Sequence, residues 1–147
     1  MKIYAVKGDK KKYLDLLLLA DEQEDMIDRY LDRGTLYVLE EGDIRAECVV
    51  TAEKNGILEI KNLATAPRWQ RHGYGRALIE FLVKTYAGCY TALLVGTGES
   101  PLTLPFYEAC GFRRVGRKKD FFLKHYDHPI YECGVRLTDM IYLQRPL

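Results

Sequence analysis

Gly73 and Gly75 stand between a stretch of strand character and a stretch of helical character, in the run Gln70-Arg71-His72-Gly73-Tyr74-Gly75. A backbone free of Cβ atoms at such a junction can bring several N–H groups round one anion. The helix that follows adds the positive end of its dipole. Arg71 and Arg76 flank the turn with two further positive charges, so a pyrophosphate is the ligand this chemistry suits. Taken alone, two glycines before a helix are more often only a turn. A dinucleotide fingerprint would need a third glycine where Leu78 stands, and a phosphate-binding P-loop would need Gly-Lys-Ser/Thr, which the sequence does not contain. The second pair, Gly96-Thr97-Gly98, runs on to Ser100-Pro101 without a third glycine and reads as the loop after a strand.

Other residues invite chemistry less directly. His125-Tyr126-Asp127-His128-Pro129 suggests metal ligands, but no further ligand cluster accompanies it, so no metal is expected. Cys48, Cys89, Cys110 and Cys133 are widely spaced with no CxxC pair, and reduced thiols follow. Glu59 lies within an otherwise apolar strand beside Lys61, either as a solvated ion pair or as a buried carboxylate with a raised pKa. The acidic stretch Asp21, Glu22, Glu24, Asp25, Asp28 and Asp32 reads first as a solvated helix face.

These residues need a frame. Lys2–Val6 alternates as a short strand, Lys11–Leu19 places Leu14, Leu17 and Leu18 on one helical face, and Glu22–Arg33 repeats that pattern up to Gly34. Thr35–Glu40, Ile44–Ala52 and Ile57–Ala64 are strands joined by Glu41-Gly42-Asp43 and Lys54-Asn55-Gly56, turns short enough to give an antiparallel meander. After Pro67, Leu78, Phe81, Leu82 and Tyr86 fall at helical spacing, closed by Gly88. Ala92–Val95 reads as a buried strand, Leu104–Cys110 as a short helix ending at Gly111, and Val135–Leu143 as the last strand. The order is βααβββαβαββ. The stretch from Lys118 to Cys133 has no regular pattern, and Asp120–Glu132 lies between the last two strands.

The chain has 147 residues, 48% of them hydrophobic, which suits one α/β domain over residues 1–147. Lys and Arg number 22 against 21 Asp and Glu, and a net charge of +1 offers no general attraction to nucleic acid or to an anionic membrane. The N-terminus meets Lys7 and Asp9 too soon for a signal sequence, and the longest apolar run, Leu16–Ala20, is far below spanning length. A cytoplasmic protein is expected.

With Gln70, Gly73 and Gly75 in place, the sequence resembles the GNAT superfamily of acetyltransferases, whose pyrophosphate motif is Q/R-x-x-G-x-G/A. Leu63-Ala64-Thr65-Ala66-Pro67 is similar to the family's preceding strand, and Phe106-Tyr107-Glu108-Ala109-Cys110-Gly111-Phe112 to its Tyr-bearing helix. Both motifs occur in the family's order with a strand between them. Val95-Gly96-Thr97-Gly98, Asp120-Phe121-Phe122 and His125-Tyr126 look like a bacterial subgroup, with Glu99-Ser100-Pro101 where that subgroup tends to carry Asn-Ser-Ser.

The resemblance implies a mixed, mostly antiparallel sheet flanked by helices and splayed between its fourth and fifth strands, with acetyl-CoA in the splay. It implies that Leu63, Ala64 and Thr65 present backbone to the cosubstrate, and that Gln70, Arg71, His72, Gly73, Tyr74, Gly75 and Arg76 hold its pyrophosphate. Tyr107 matches the family's general acid, with a core aromatic as the bland alternative, and Glu59 stands where some members place a general base. His125, Tyr126 and Asp127 would border the acceptor cleft. The implied reaction is direct transfer in a ternary complex from acetyl-CoA to a primary amine of a small molecule or peptide. A non-catalytic acyl-CoA-binding module and a protein N-terminal or lysine acetyltransferase are the alternatives, and a homodimer stays open.

Overall fold

A computed structural model describes all residues from Met1 to Leu147. Strand β1 (Lys2–Ala5) is followed by a 3-10 turn over Lys10–Tyr13, then by α1 (Leu14–Ala20) and α2 (Glu24–Ile27). The meander is β2 (Thr35–Glu41), β3 (Asp43–Ala52) and β4 (Ile57–Thr65). Its hairpins turn where the sequence offers left-handed conformers, at Gly42 and at Asn55-Gly56. Next come α3 (Tyr74–Tyr86), β5 (Ala92–Gly98), α4 (Thr103–Ala109), β6 (Arg113–Lys118), α5 (Phe121–His125), the short pair β7 (Tyr131–Glu132) and β8 (Val135–Arg136), and β9 (Met140–Pro146). No helix is long and apolar enough to cross a membrane.

The main sheet has the order β1-β2-β3-β4-β5-β9-β6, antiparallel at every join except β4–β5. That parallel join is short: Ile57–Ile60 pair with Ala92–Val95, and beyond Ile60 and Val95 the two strands part. Strand β5 nevertheless stays paired with β9 along its whole length. The sheet is therefore open in its middle over Lys61–Thr65 on one side and Gly96–Gly98 on the other.

Two apolar layers cover the sheet. Leu78, Ile79 and Leu82 of α3, with Leu104 and Tyr107 of α4, pack on Cys48, Val50, Leu58, Ile60, Leu93 and Val95. On the opposite face Leu17, Ile27, Tyr30 and Leu31 pack on Leu36, Val38 and Val49. A bulge between Val49 and Val50 leaves Lys61 unpaired and resets which residues of β4 face each layer.

Several elements differ from their sequence pattern. The helix expected over Glu22–Arg33 is helical only at Glu24–Ile27 and continues as turns. Arg29 and Tyr30 donate to the carbonyls three residues back, and Lys10 Nζ donates to the carbonyls of Leu31 (2.8 Å), Asp32 (3.3 Å) and Gly34 (2.7 Å). An outside ammonium thus satisfies the carbonyls a longer helix would have used. The strand expected over Val135–Leu143 is broken: Val135–Arg136 pairs with β7, Leu137 turns into a small cluster with Phe122 and Ile130, and only Met140 resumes the sheet. Gly96-Thr97-Gly98 is not a loop but the end of β5. A Cβ at Gly96 would lie 2.6 Å from Met140 Sδ and one at Gly98 2.5 Å from Leu137 Cδ1, so these glycines admit neighbouring side chains. The irregular stretch after Lys118 contains α5 and β7.

Candidate active site

The turn before α3 has the backbone an anion needs. Arg71 (φ 65°) and Gly73 (φ 85°) both lie in the left-handed region, two residues apart. The first turn of α3 leaves the amides of Tyr74, Gly75 and Arg76 without intrahelical carbonyls. His72 is locked by contacts from Nδ1 to the carbonyls of Trp69 (3.2 Å) and Gln70 (2.9 Å), and Gln70 Nε2 donates to Thr65 O (3.2 Å). The Tyr74 ring points away, its hydroxyl donating to Glu41 (2.8 Å) and accepting from Arg45. Tyr74 and His72 therefore offer the turn their backbone. Arg71 is exposed, and Arg76 donates to Ala109 O (2.8 Å), tying the turn to the end of α4. A Cβ at Gly73 would meet nothing within 4 Å, whereas one at Gly75 would lie 3.0 Å from Phe106 Cζ. The approach to the turn stays clear at the first glycine, and the second seats α3 against α4. These features fit a pyrophosphate, and hence the acetyl-CoA that the sequence implies.

The parting of β4 from β5 opens a cavity of about 280 Å³. Leu63, Ala64, Thr65 and Gln70 line one side, Gly96, Thr97, Gly98 and Thr103 the other, and Tyr107 also lines it. Tyr107 is 6% exposed and packs edge-on to Phe106 and Phe112. Burial raises its phenol, so it holds its proton at neutral pH. Thr97 Oγ1 donates to Thr103 Oγ1 (2.8 Å), fixing the start of α4 on the end of β5. Glu99 is turned outward into a two-pronged pair with Arg117, at 3.0 and 3.1 Å.

Glu59 does not line this cavity; its ion-pair partner Lys61 does, at 3.2 Å from it. Burial raises the Glu59 carboxyl, with Lys61 opposing that shift. Of the three residues expected beside the acceptor, only Tyr126 faces the cavity. His125 is exposed and lies against Phe121, with ring centroids 4.6 Å apart, and Asp127 is exposed and hydrogen-bonded to His128. His128 also contacts Glu22 through Nε2 (3.0 Å), and its pKa is raised by Asp127 first and Glu22 second. No group of three or more His, Cys, Asp or Glu side chains is placed to hold a metal ion.

The structure brings in residues that spacing does not single out. Asp21, just past α1, accepts the hydroxyls of Tyr126 (2.7 Å) and Tyr30 (3.0 Å). Burial raises its carboxyl, and the two phenols pull it back down. Asn62 is 3% exposed; its Nδ2 donates to Leu17 O (3.0 Å) and Tyr30 Oη (3.1 Å), while its Oδ1 has no partner. Asp21, Asn62 and the half-buried Glu132 all line the cavity. Besides Tyr126, the acidic stretch after α1 was the sequence signal nearest to this wall, and it marked six carboxylates without distinguishing Asp21 and Glu22, which line the cavity, from the other four.

Residues 32–114 match the family model of the Acetyltransferase (GNAT) domain. An uncharacterised N-acetyltransferase of Bacillus subtilis, YvbK, is 37% identical over 132 residues, covering 88% of this chain and 85% of that protein. The crystal structure of a GNAT family acetyltransferase from Elizabethkingia anophelis with acetyl-CoA bound superposes with a TM-score of 0.93 at 35% identity, covering 99% of this chain and 97% of that one. A Bacillus subtilis acetyltransferase in complex with CoA gives 0.90 at 34% identity, covering 99% and 98%. The open sheet, the glycine turn and these likenesses agree: this chain belongs to the GNAT family and is an acetyl-CoA-dependent N-acyltransferase.

Proposed function

We propose that the protein transfers acetyl directly from acetyl-CoA to a primary amine of a small molecule or peptide, with both substrates bound at once. The observation that carries this reading is the gap between β4 and β5, one cavity lined by Gln70 at the start of the glycine turn, by Tyr107, and by Asp21, Asn62 and Tyr126. Donor and acceptor can occupy opposite ends of one cavity, so no covalent enzyme intermediate is needed. Cys48 and Cys110 are buried, Cys89 and Cys133 are exposed, and none of the four lines the cavity.

Four tasks follow from the chemistry. The turn from Gln70 to Arg76 binds the pyrophosphate through backbone amides, and Leu63, Ala64 and Thr65 present unpaired strand backbone to the extended arm of the donor. The neutral amine attacks the thioester carbon, a C–N bond forms and the C–S bond breaks. Tyr107 gives its phenolic proton to the departing sulfur. The amine's surplus proton leaves by way of solvent to Glu59, which stands behind Lys61 at the cavity wall, and the two proton transfers balance.

The test is thiol release from acetyl-CoA against a panel of polyamines, aminoglycosides and peptides, with mass spectrometry of the acceptor. A gain of one acetyl on an amine supports transfer. Tight acetyl-CoA binding with no acetylated product across the panel would favour a binding module instead.

A further inference from the structure

The wall opposite the donor turn has an unbalanced charge. Asp21, Glu22 and Glu132 line the cavity against one cation, Lys61, and Lys61 is already paired with Glu59. Glu22 contacts His128 at the rim. Asp21 and Glu132 have no cationic partner within ion-pair distance anywhere in the chain, although both are substantially withdrawn from solvent.

Asp21 is the better defined of the two. Two phenols from distant parts of the chain hold it, Tyr30 on one oxygen and Tyr126 on the other, and Tyr30 is itself fixed by the Asn62 amide. A carboxylate has about four acceptor positions; the two phenols and the Gln23 backbone amide take three, so one remains. An independent observation points the same way. Asn62, almost fully buried on the same wall, spends its amide nitrogen on Leu17 and Tyr30 and leaves Oδ1 without a donor. An unmet buried acceptor and a carboxylate without a cation, linked through the Tyr30 hydroxyl on one wall, suit a ligand that is cationic and rich in N–H groups.

That cation is assigned to a nitrogen other than the one that reacts. An amine resting on a buried carboxylate is stabilised as ammonium, and an ammonium has no lone pair for the thioester. We propose that the acceptor carries a second, cationic nitrogen besides the reacting amine, and that Asp21, on the wall that also carries Asn62, holds this distal charge. The substrate class is then a diamine, a longer polyamine or an amine bearing a guanidinium. Asp21 is a specificity residue, not a catalytic one, and the proposal rests on the transfer reading for the identity of the site.

The experiment measures binding without turnover. Calorimetry on the CoA-loaded protein compares 1,5-diaminopentane with 1-aminopentane, for the wild type and for Asp21→Asn, Asp21→Ser and Asp21→Glu, each checked by thermal melt and CoA affinity. The wild type should bind the diamine about tenfold or more tightly than the monoamine. Asp21→Asn and Asp21→Ser should bring the two ligands to within about twofold, and Asp21→Glu, which keeps the charge, should restore part of the preference. Two amine ligands of equal affinity in the wild type, or a full preference surviving in Asp21→Asn or Asp21→Ser, would overturn the proposal. If the diamine preference depends on Asp21 but no amine is ever acetylated, the distal-charge site stands and the transfer reading fails.

Discussion

Phe106 closes on Gly75: a side-chain carbon at that glycine would lie 3.0 Å from Phe106 Cζ and 3.3 Å from Cε1. The helix that starts the phosphate turn is thereby seated against the helix that carries Tyr107, with the neighbouring residue of one motif in contact with the last glycine of the other. Gly75→Val should push α4 outward and cost about 1–3 kcal/mol of stability by overpacking. Chemical denaturation measures this, and an unchanged midpoint would show that Phe106 swings aside freely.

Gly73 tests the donor site without disturbing that seat. Nothing lies within 4 Å of where its Cβ would be, and its φ of 85° is one that Asp tolerates better than most residues. Gly73→Asp should therefore fold, yet weaken acetyl-CoA by at least about tenfold through like charge against the pyrophosphate. Calorimetry on the folded variant decides it; retained affinity would remove the turn from the donor site.

Tyr107→Phe should lower kcat by about 100-fold while the Kd for acetyl-CoA changes little. A drop in melting temperature with kcat preserved would make Tyr107 a packing residue beside Phe106 and Phe112. Glu59→Gln is the companion experiment: it should remove the acidic limb of the kcat/KM profile, and a limb that persists would assign the amine's proton to another group.

Glu47 predicts a stability effect with a definite sign. It is 0% exposed on β3, neither carboxylate oxygen makes a well-formed hydrogen bond, and burial pushes its pKa well above the ordinary 4.5 against a weak opposing contact from the Ala64 backbone. The native state then holds a proton that the unfolded chain has released. The fold keeps its full stability below pH 4.5 on this account and loses part of it as the pH rises toward the folded pKa. Glu47→Gln should remove that decline, so the variant gains on the wild type at pH 8 relative to pH 4. Melting temperatures across that range check it, and parallel profiles would contradict the protonated state.

Lys10 replaces what a helix would have done for itself. Its ammonium serves the carbonyls of Leu31, Asp32 and Gly34 just before β2. Lys10→Met should cost about 2 kcal/mol by leaving those carbonyls to solvent or unpaired. Urea denaturation reads this, and faster amide exchange at Arg33–Thr35 would place the loss there.

The proposed donor half of the site has local determinants in the sequence. Gly73 and Gly75 lie within a few residues of the helix they precede, and Tyr107 sits in a contiguous run, so the family resemblance could point to both. The acceptor wall has no such signature. Asp21, Asn62 and Tyr126 meet only after α1, β4 and the segment beyond α5 are assembled, and nothing in Asp21–Asp32 or His125–Asp127 tells an inward carboxylate from an outward one. His125 and Asp127 were expected beside Tyr126 because they adjoin it in sequence, but an extended Tyr126 (φ −112°, ψ 141°) leaves its neighbours at the surface. The overlong second helix has a related cause: Met26, Ile27, Tyr30 and Leu31 are all buried as the periodicity requires, but a series of turns buries them equally well.

The four-residue join between β4 and β5 has one more consequence. A strand at the outside of a sheet displays unpaired amides and carbonyls and invites another chain to add to it. Here two such borders face each other across an interior slot, beyond the reach of any folded neighbour. An extended molecule bearing its own amides would find hydrogen-bonding partners on both borders at once. What would be an aggregation-prone edge on the outside of a sheet is thus kept inside the fold, where it lines a cavity.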